Sequence, residues 1–213
     1  MMTIESTALN FDAWLDFLRE KLPSFDLSYN LAFAASCCER SLPNYKAFAK
    51  EERWGDPKVL TEGLELVWRL VTTKNLADLH SYVRSLIKAL DAVTPDTEGN
   101  FKSILTSAAL DAASSVGETL DYALDGNIDH IIWVSSLARD TIDLFVHRRD
   151  NPDYSDQNFE EKIANHPLMI AELQKQQMDI KTLESIQDLT PDFVAFFRQN
   201  AMIAGKSNLG ISA

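Results

Sequence analysis

The sequence predicts an all-α protein, a single compact bundle of about nine to ten helices with no sheet. Three observations support this fold class. The 213 residues include only 7 glycines, apolar residues recur at intervals of three and four, and no hairpin signal joins two alternating apolar runs. A chain of this length suits one domain, residues 1–213, whose core needs no disulfide or metal. We expect residues 1–9 to be frayed and residues 205–213 to form a non-helical C-terminal tail.

The helices of the first quarter are predicted from caps and prolines. A first helix, capped by Asn10, is expected at residues 10–22. The second, at about 27–41, is apolar on more than one face, which is typical of a central helix. Pro43 suits the first turn of a short third helix at 43–53, because a proline there removes no intrahelical hydrogen bond.

The next helix start has the strongest signal. Gly55 ends the preceding helix, Asp56 can cap the new one, and Pro57 fills its first position. The polar segment 147–158 is predicted to be the longest internal loop. The remaining helices are expected at about residues 75–92, 101–124, 128–146, 159–164, 167–187 and 191–204. In the last of these, the residues expected to face inward are Phe193, Phe196, Phe197 and Ala201.

Charge and cysteine content restrict the class of protein. With 32 acidic and 20 basic side chains the formal net charge is -12, which repels phosphate backbones and anionic lipid surfaces. We therefore expect no nucleic-acid or membrane partner. No apolar run approaches the roughly 20 residues of a membrane span, and the N-terminal segment has no basic region, so the predicted location is cytoplasmic. Cys37 and Cys38, adjacent in an apolar helix, are expected to be buried and reduced.

The sequence contains none of the common nucleotide, hydrolase or zinc signatures, so we predict no catalytic residue and no cofactor. The best metal-like spacing is Asp143 with His147 on one helical face. A site needs at least one more ligand, so we predict no metal site either. A second polar set is interpreted as a solvated helix face rather than a cation site: Asp111, Glu118, Asp121 and Asp125.

The best candidate for a ligand-binding site is a group of five polar residues around the end of the second helix: Glu39, Arg40, Asn44, Tyr45 and Asp56. Glu39 and Arg40 end the most apolar helix. Such a charged pair is either an internal ion pair that orients the turn or the rim of a pocket. We favour the internal pair, because an unpaired charge there would cost several kcal/mol.

Several segments together resemble a known family. They are residues 38–45 (CERSLPNY), Phe48, Gly55-Asp56, 64–68 (LELVW), 108–113, 165–167 with Glu172 and Gln174, and 207–211 (SNLGI). Over almost the whole chain this pattern is similar to that of the YjaG-like bacterial family, a domain of unknown function (number 416). The resemblance implies a compact, all-helical, cytoplasmic protein. It implies no activity and no catalytic residues.

Two functional interpretations follow. The leading one is a non-enzymatic interaction or regulatory module with an unknown protein partner, a homodimer being possible and the tail either docking on the body or fraying. The alternative is a small-molecule or metal-binding protein, possibly an enzyme, whose polar pocket is edged by the five candidate residues. Whether Glu39 and Arg40 are paired inside or face a cavity distinguishes the two.

Overall fold

The computed structural model describes residues 11–73, 76–150 and 158–212, apart from the side chains of Phe11 and Phe159. These residues form nine α-helices and no β-strand, which confirms the all-α bundle: α1 Phe11–Lys21, α2 Leu27–Glu52, α3 Pro57–Val71, α4 His80–Val93, α5 Thr106–Asp125, α6 Asp129–Asp150, α7 Phe159–Ala164, α8 Pro167–Glu184 and α9 Pro191–Gln199. Residues 1–9, which were predicted to be frayed, lie outside the described residues.

Helix α2 is the longest helix and forms the centre of the bundle, packing against α3, α5, α6, α8 and α9. The predicted break after residue 41 is wrong, because Pro43 lies inside this continuous helix. A proline removes only the bond from its own N–H, here to Glu39, and crowds that carbonyl. Burial of nearly every side chain around it outweighs this cost. The helix ends at Arg53, whose backbone is left-handed with φ 51°.

Three helix starts are confirmed at the predicted prolines, namely those of α3, α8 and α9. In each case the side chain before the proline accepts a hydrogen bond from a backbone N–H of the first turn: Asp56 from Lys58 at 2.9 Å, His166 from Leu168 at 3.2 Å and Thr190 from Phe193 at 3.2 Å. These helix starts were predictable because a capping side chain and a proline both act on the first turn of a helix, within a few residues of the start.

Other predicted boundaries differ from the structure. Helix α4 begins at His80 after a short 3₁₀ turn, α5 begins at Thr106, and α6 continues four residues into the predicted loop. The basic residues at the end of α6 favour this extension through the helix dipole. The remainder of that loop, residues 151–157, lies outside the described residues.

The expectation that Phe196 faces inward is wrong, since this side chain is 56% exposed. Helix α9 has only 9 residues and buries one side, where Phe197 and Val194 lie. Phe196 is adjacent to the buried Phe197 and projects about 100° away from it.

One apolar cluster extends from Trp14 in α1 to Leu209 in the tail. In its middle, α5 packs closely against α2 through small buried residues, which let two helices approach each other: Ala108, Ala109, Ala112 and Ala113. None of the described helices is long and apolar enough to cross a membrane.

The C-terminal tail docks on the body of the protein. Up to Ser212 it is non-helical, and Ser207, Asn208 and Leu209 are buried. The Ser207 hydroxyl accepts hydrogen bonds from the backbone N–H groups of Leu209 and Ile211 at 3.1 and 3.0 Å. These bonds hold the tail as a compact loop rather than an extended strand.

Candidate functional site

The Arg40 guanidinium lies at the centre of a buried polar network between α2 and α8. Its side chain is fully buried. Nε and Nη2 donate to the two carboxylate oxygens of Glu172 at 2.8 and 2.7 Å, and Nη1 donates to Asp179 Oδ2 at 3.3 Å. Nη1 also donates to Ser36 Oγ at 3.0 Å. The two-point pairing with one carboxylate fixes the position of α8 on α2.

The same network reaches α6 and α1 through Gln176. The Gln176 Nε2 donates to Glu172 Oε1 at 2.8 Å, and its Oε1 accepts a hydrogen bond from Ser135 Oγ at 2.6 Å. Trp14 Nε1 donates to the same Gln176 oxygen at 2.9 Å. Four helices are therefore joined by one connected set of buried hydrogen bonds, which we call the Arg40 network.

The charges of the Arg40 network balance. Lys175 forms an ion pair with Asp179, so two cations, Arg40 and Lys175, face two carboxylates, Glu172 and Asp179. Isolated buried charges are strongly destabilising, whereas paired and hydrogen-bonded ones are tolerated. The network thus has the composition of an internal structural element that needs no external ion for neutrality.

Glu39 points to a different neighbour from Arg40. Its Oε2 accepts hydrogen bonds from Trp68 Nε1 at 2.7 Å and from Arg198 Nε at 3.0 Å. Arg198 also donates to both carboxylate oxygens of Glu65, and this bonding lowers the pKa of Glu65. Adjacent residues of a helix project about 100° apart. Glu39 and Arg40 are therefore each paired, but not with each other.

Asn44 contacts the docked tail. Its Nδ2 donates to Asn208 Oδ1 at 2.8 Å, and Asn208 Nδ2 donates to the carbonyl of Ala138 at 3.1 Å. The backbone N–H of Asn208 donates to the carbonyl of Arg40 at 3.3 Å. The tail is thus held by polar contacts with both α2 and α6. Asn44 Oδ1 is buried without a hydrogen-bond partner among the described residues.

Tyr45 and Asp56 lie at the turn between α2 and α3. The Tyr45 hydroxyl donates to the carbonyl of Val93 at 2.5 Å, and burial raises the pKa of this phenol. Gly55, at φ 82°, is needed beside Tyr45, because a Cβ there would lie 2.4 Å from the hydroxyl oxygen. Asp56 caps α3.

The five residues predicted as a ligand site thus divide among several places. Arg40 lies in the network with α8, Glu39 lies between α3 and α9, Asn44 meets the tail, and Tyr45 and Asp56 hold the turn. The structure brings the backbone of Arg40 and the side chain of Asn44 to the tail, and it brings Tyr45 and Asp56 together at the turn before α3. Ligand binding by this set stays a prediction.

The family described as "Protein of unknown function (DUF416)" matches residues 17–212. The chain belongs to this family. The resemblance predicted from the sequence is therefore confirmed, and it extends over nearly the whole chain.

Relatives and a solved structure of the DUF416 family have a similar length. The "Uncharacterized protein YjaG" of Salmonella typhimurium is 25% identical over 196 residues, covering 91% of this chain and 93% of the relative. The Escherichia coli (strain K12) protein of that name is 24% identical over 193 residues, covering 90% and 93%. A crystal structure of a DUF416 family protein from Shewanella baltica OS155 has a TM-score of 0.79 at 25% identity, covering 91% of this chain and 97% of that chain.

Sequence reasoning missed the acidic half of the Arg40 network in this DUF416 protein. Glu172, Gln176 and Asp179 lie four and three residues apart, so they share one face of α8 with buried apolar residues. Polar side chains at apolar positions of a helix were the available signal. Both cysteines are buried and reduced, as predicted, and burial raises the pKa of each thiol.

The interpretation of the α5 carboxylates as a solvated face is wrong for Asp111. This side chain is buried between α5 and α6, and its Oδ2 accepts a hydrogen bond from Thr141 Oγ1 at 2.7 Å. Burial raises the pKa of Asp111 to about 7, with a smaller contribution from Asp140. Glu118 and Asp125 instead contact His130, at 2.5 and 3.2 Å.

Two other places in the DUF416 protein have features that ligand sites share. Asp143 and His147 lie 3.1 Å apart, but no group of three or more potential ligands that could hold a metal occurs within the described part of the chain. A surface cleft of about 350 Å³ lies where the start of α2 meets the end of α8. Its lining is Lys21, Ser24, Phe25, Asp26, Tyr29, Leu183, Glu184 and Ile186.

Proposed function

We propose that this DUF416 protein is a non-enzymatic interaction or regulatory module that presents its docked C-terminal tail to a protein partner. The observation that carries the proposal is the way the tail is held. Buried Asn208 anchors it to α2 and α6, while Lys206 and Gly210 on either side of the anchor are exposed. A loop that is fixed at its centre and exposed at its edges is pre-organised for recognition.

The chemistry of the interior supports the same interpretation. The Arg40 network is neutral and its charged groups are hydrogen-bonded within the chain. Catalytic groups usually combine perturbed acidity with access to a substrate. The cation at the centre of this network is fully buried, so the arrangement favours scaffolding over chemistry.

Partner capture with tail variants tests the proposal. Wild type, Lys206→Glu and a chain lacking residues 206–213 are immobilised, exposed to bacterial lysate, and each captured protein is then purified and its Kd measured. The matched control is Lys181→Glu, which makes the same charge change at an exposed site on α8. We expect at least a tenfold loss of affinity with Lys206→Glu and none with Lys181→Glu.

The opposite results would reject the proposal. They are identical affinities for the two point variants, or no partner that binds the purified wild-type protein. Circular dichroism and thermal unfolding establish that each variant is folded, because the truncation removes buried contacts of Asn208. The point variant Lys206→Glu changes no buried contact and remains informative if the truncated chain unfolds.

The cleft supports a second candidate function, binding of a small molecule. Its rim offers one cation, Lys21, which is paired with Glu184 at 2.5 Å, and two aromatic rings, Phe25 and Tyr29. A thermal-shift screen over metal ions and metabolites tests it, since a ligand at 100 times its Kd stabilises by about 2.7 kcal/mol. A shift that is lost in Tyr29→Ala would favour this function over the module.

A further inference from the structure

One face of helix α6 carries a line of residues, which we call the α6 strip: Asp129, Trp133, Leu137, Asp140, Leu144 and Arg148. Within this line Leu137 is buried and Asp140 is half-buried. Successive members lie four, four, three, four and four residues apart, so they follow one face of the helix. Trp133 is 52% exposed and Leu144 is 41% exposed. The other residues between 131 and 138 are buried. Two large apolar side chains are therefore exposed on this face of α6, whose residues 131–138 are otherwise buried.

The neighbouring surface of helix α5 contains a glycine, Gly117, which has no side chain. The two helices are antiparallel neighbours, since Glu118 contacts His130 and Asp111 contacts Thr141. Helical spacing then places Gly117 at about the level of Trp133 along the two helices, and about 100° around α5 from Glu118. No atom of the described residues outside the local helix lies within 4 Å of a Cβ built at this glycine.

A glycine in the middle of a helix is destabilising relative to alanine. At Gly63 the packing explains the choice, because a Cβ there would lie 2.8 Å from Val116. Nothing comparable surrounds Gly117 in the described part of the chain. A glycine with open space around its Cβ position allows a second molecule to approach the helix backbone closely.

The two ends of the α6 strip carry opposite charge. Asp129 begins it and Arg148 ends it, both exposed. Glu118 and Asp125 add further carboxylates at the Asp129 end, around His130. The ends are 19 residues apart, which is about 28 Å in a helix. Two copies placed side by side in parallel would bring like charges together, whereas an antiparallel pair matches opposite charges.

We propose that the α6 strip binds the α6 strip of a second copy of this chain, antiparallel and related by a twofold axis between Leu137 and Asp140. In this register Asp129 faces Arg148 of the second copy, and Trp133 faces Leu144 of the second copy. The 4-4-3-4-4 spacing reads the same in both directions, which is what an isologous twofold contact requires. Asp140 already has a cation within its own chain, Arg139 at 2.8 Å.

The size of the contact indicates its strength. A surface about 28 Å long and about two helix diameters (roughly 20 Å) wide gives about 560 Å² on each copy, or about 1,100 Å² in total. That total is near the lower limit for a specific interface. We therefore expect a dimer that dissociates in the micromolar range rather than an obligate one.

Sedimentation equilibrium of the full chain from about 1 to 200 μM tests the proposal, a range that covers micromolar dissociation. Wild type is expected to shift from monomer to dimer over this range, and Trp133→Glu to stay monomeric. The matched control is Met178→Glu, which puts the same charge on an exposed apolar residue of α8 and is expected to dimerise like wild type. A wild-type monomer at every concentration, or equal dimerisation of Trp133→Glu, would overturn the proposal.

A charge exchange tests the antiparallel register. Asp129→Arg and Arg148→Asp are each expected to raise the dimer Kd at least tenfold, and the double variant to recover most of the loss. Recovery must act between two copies, because about 28 Å within one chain far exceeds the screening length of about 8 Å at physiological salt. A double variant as weak as the two singles combined would refute this register.

This dimer is independent of the proposed tail function. The tail contacts Ala138, which is buried and lies on a different side of α6 from Trp133. Lys206→Glu is therefore expected to leave the dimer Kd unchanged, and Trp133→Glu to leave partner capture through the tail unchanged. Failure of one proposal is thus distinguishable from failure of the other.

Discussion

Replacing Arg40 by methionine tests the energetic role of the Arg40 network. The substitution keeps an unbranched side chain in a fully buried position but removes the cation that pairs with Glu172. Glu172 then stays buried without an opposite charge, since Lys175 already pairs with Asp179. Breaking one half of a buried ion pair costs about 3–5 kcal/mol. That is a large part of the roughly 5–15 kcal/mol by which folded proteins are stable.

Two further variants show whether charge pairing is responsible. The double variant Arg40→Met with Glu172→Met removes one cation and one carboxylate, so it leaves the network neutral. We expect it to be more stable than Arg40→Met alone, because an unpaired buried charge costs more than a missing pair. Arg19→Met is the matched control, because Arg19 pairs with Asp16 at an exposed position. Exposed pairs contribute about 0–1 kcal/mol.

Urea unfolding followed by circular dichroism at pH 7 gives the free energy of unfolding of each variant. For a protein of this size, 1 kcal/mol corresponds to about 2–4 °C in Tm, so Arg40→Met is expected to lower Tm by roughly 6–20 °C. A loss of stability in Arg40→Met no larger than that in Arg19→Met would contradict a role of charge pairing in the network. A loss of unfolding free energy in the double variant equal to the sum of the losses in Arg40→Met and Glu172→Met would contradict it as well.

Three other substitutions have expected effects on stability. Because burial raises the pKa of Asp111 from 3.8 to about 7, the unfolded chain releases this proton at a lower pH than the folded protein, so the carboxyl lowers stability as pH rises from about 4 to 7. The free energy of unfolding of Asp111→Asn should therefore equal that of wild type near pH 4 and exceed it by about 2–4 kcal/mol at pH 8. Urea titrations that give the same difference between the two proteins at both pH values would contradict this. Asn208→Ala leaves the Asn44 amide and the Ala138 carbonyl without their side-chain partner, and is expected to cost about 2–4 kcal/mol and to speed hydrogen exchange in the tail. Unchanged exchange there would show that other contacts hold the tail. Gly117→Ala should raise the free energy of unfolding by about 0.5–1 kcal/mol, because the new methyl group meets open space; a decrease in thermal unfolding temperature would argue for a hidden neighbour.

The sequence was informative where structure is decided within one turn of chain. The starts of α3, α8 and α9 depend on a cap and a proline, and all three were predicted to the residue. The same rule gave a wrong boundary at Pro43, because the preference of a proline for a helix start is outweighed there by the burial of the α2 side chains around it. Where tertiary packing decides, a local rule gives the wrong boundary.

The candidate site was predictable only in part. Arg40 could be recognised, because a charge at the end of an apolar run must find a partner. Its partners could not, since Glu172 and Asp179 lie 132 and 139 residues away in the chain. Helical periodicity shows which face of α8 is buried but not which helix covers it. Asp111 was assigned to the solvated face for the same reason. Its spacing places it on that face of α5, and the sequence does not show that α6 covers it.

Polar contacts from one short segment of α2 hold α8, α9 and the C-terminal tail. Glu39 binds α9 through Arg198, Arg40 binds α8 through Glu172, and Asn44 binds the tail through Asn208. An apolar face alone tolerates rotation or sliding of a helix, whereas a two-point ion pair permits one register.

Residues 36–44 therefore determine how α8, α9 and the tail are seated, while α5 and α2 contact each other through small apolar side chains. If this division is correct, weakening the polar contacts releases the C-terminal elements before the centre. Hydrogen exchange in Arg40→Met should then accelerate in α8 and the tail more than in α5. Equal acceleration in all three would mean that the bundle unfolds as one unit, and that the tail cannot be regulated separately from the core.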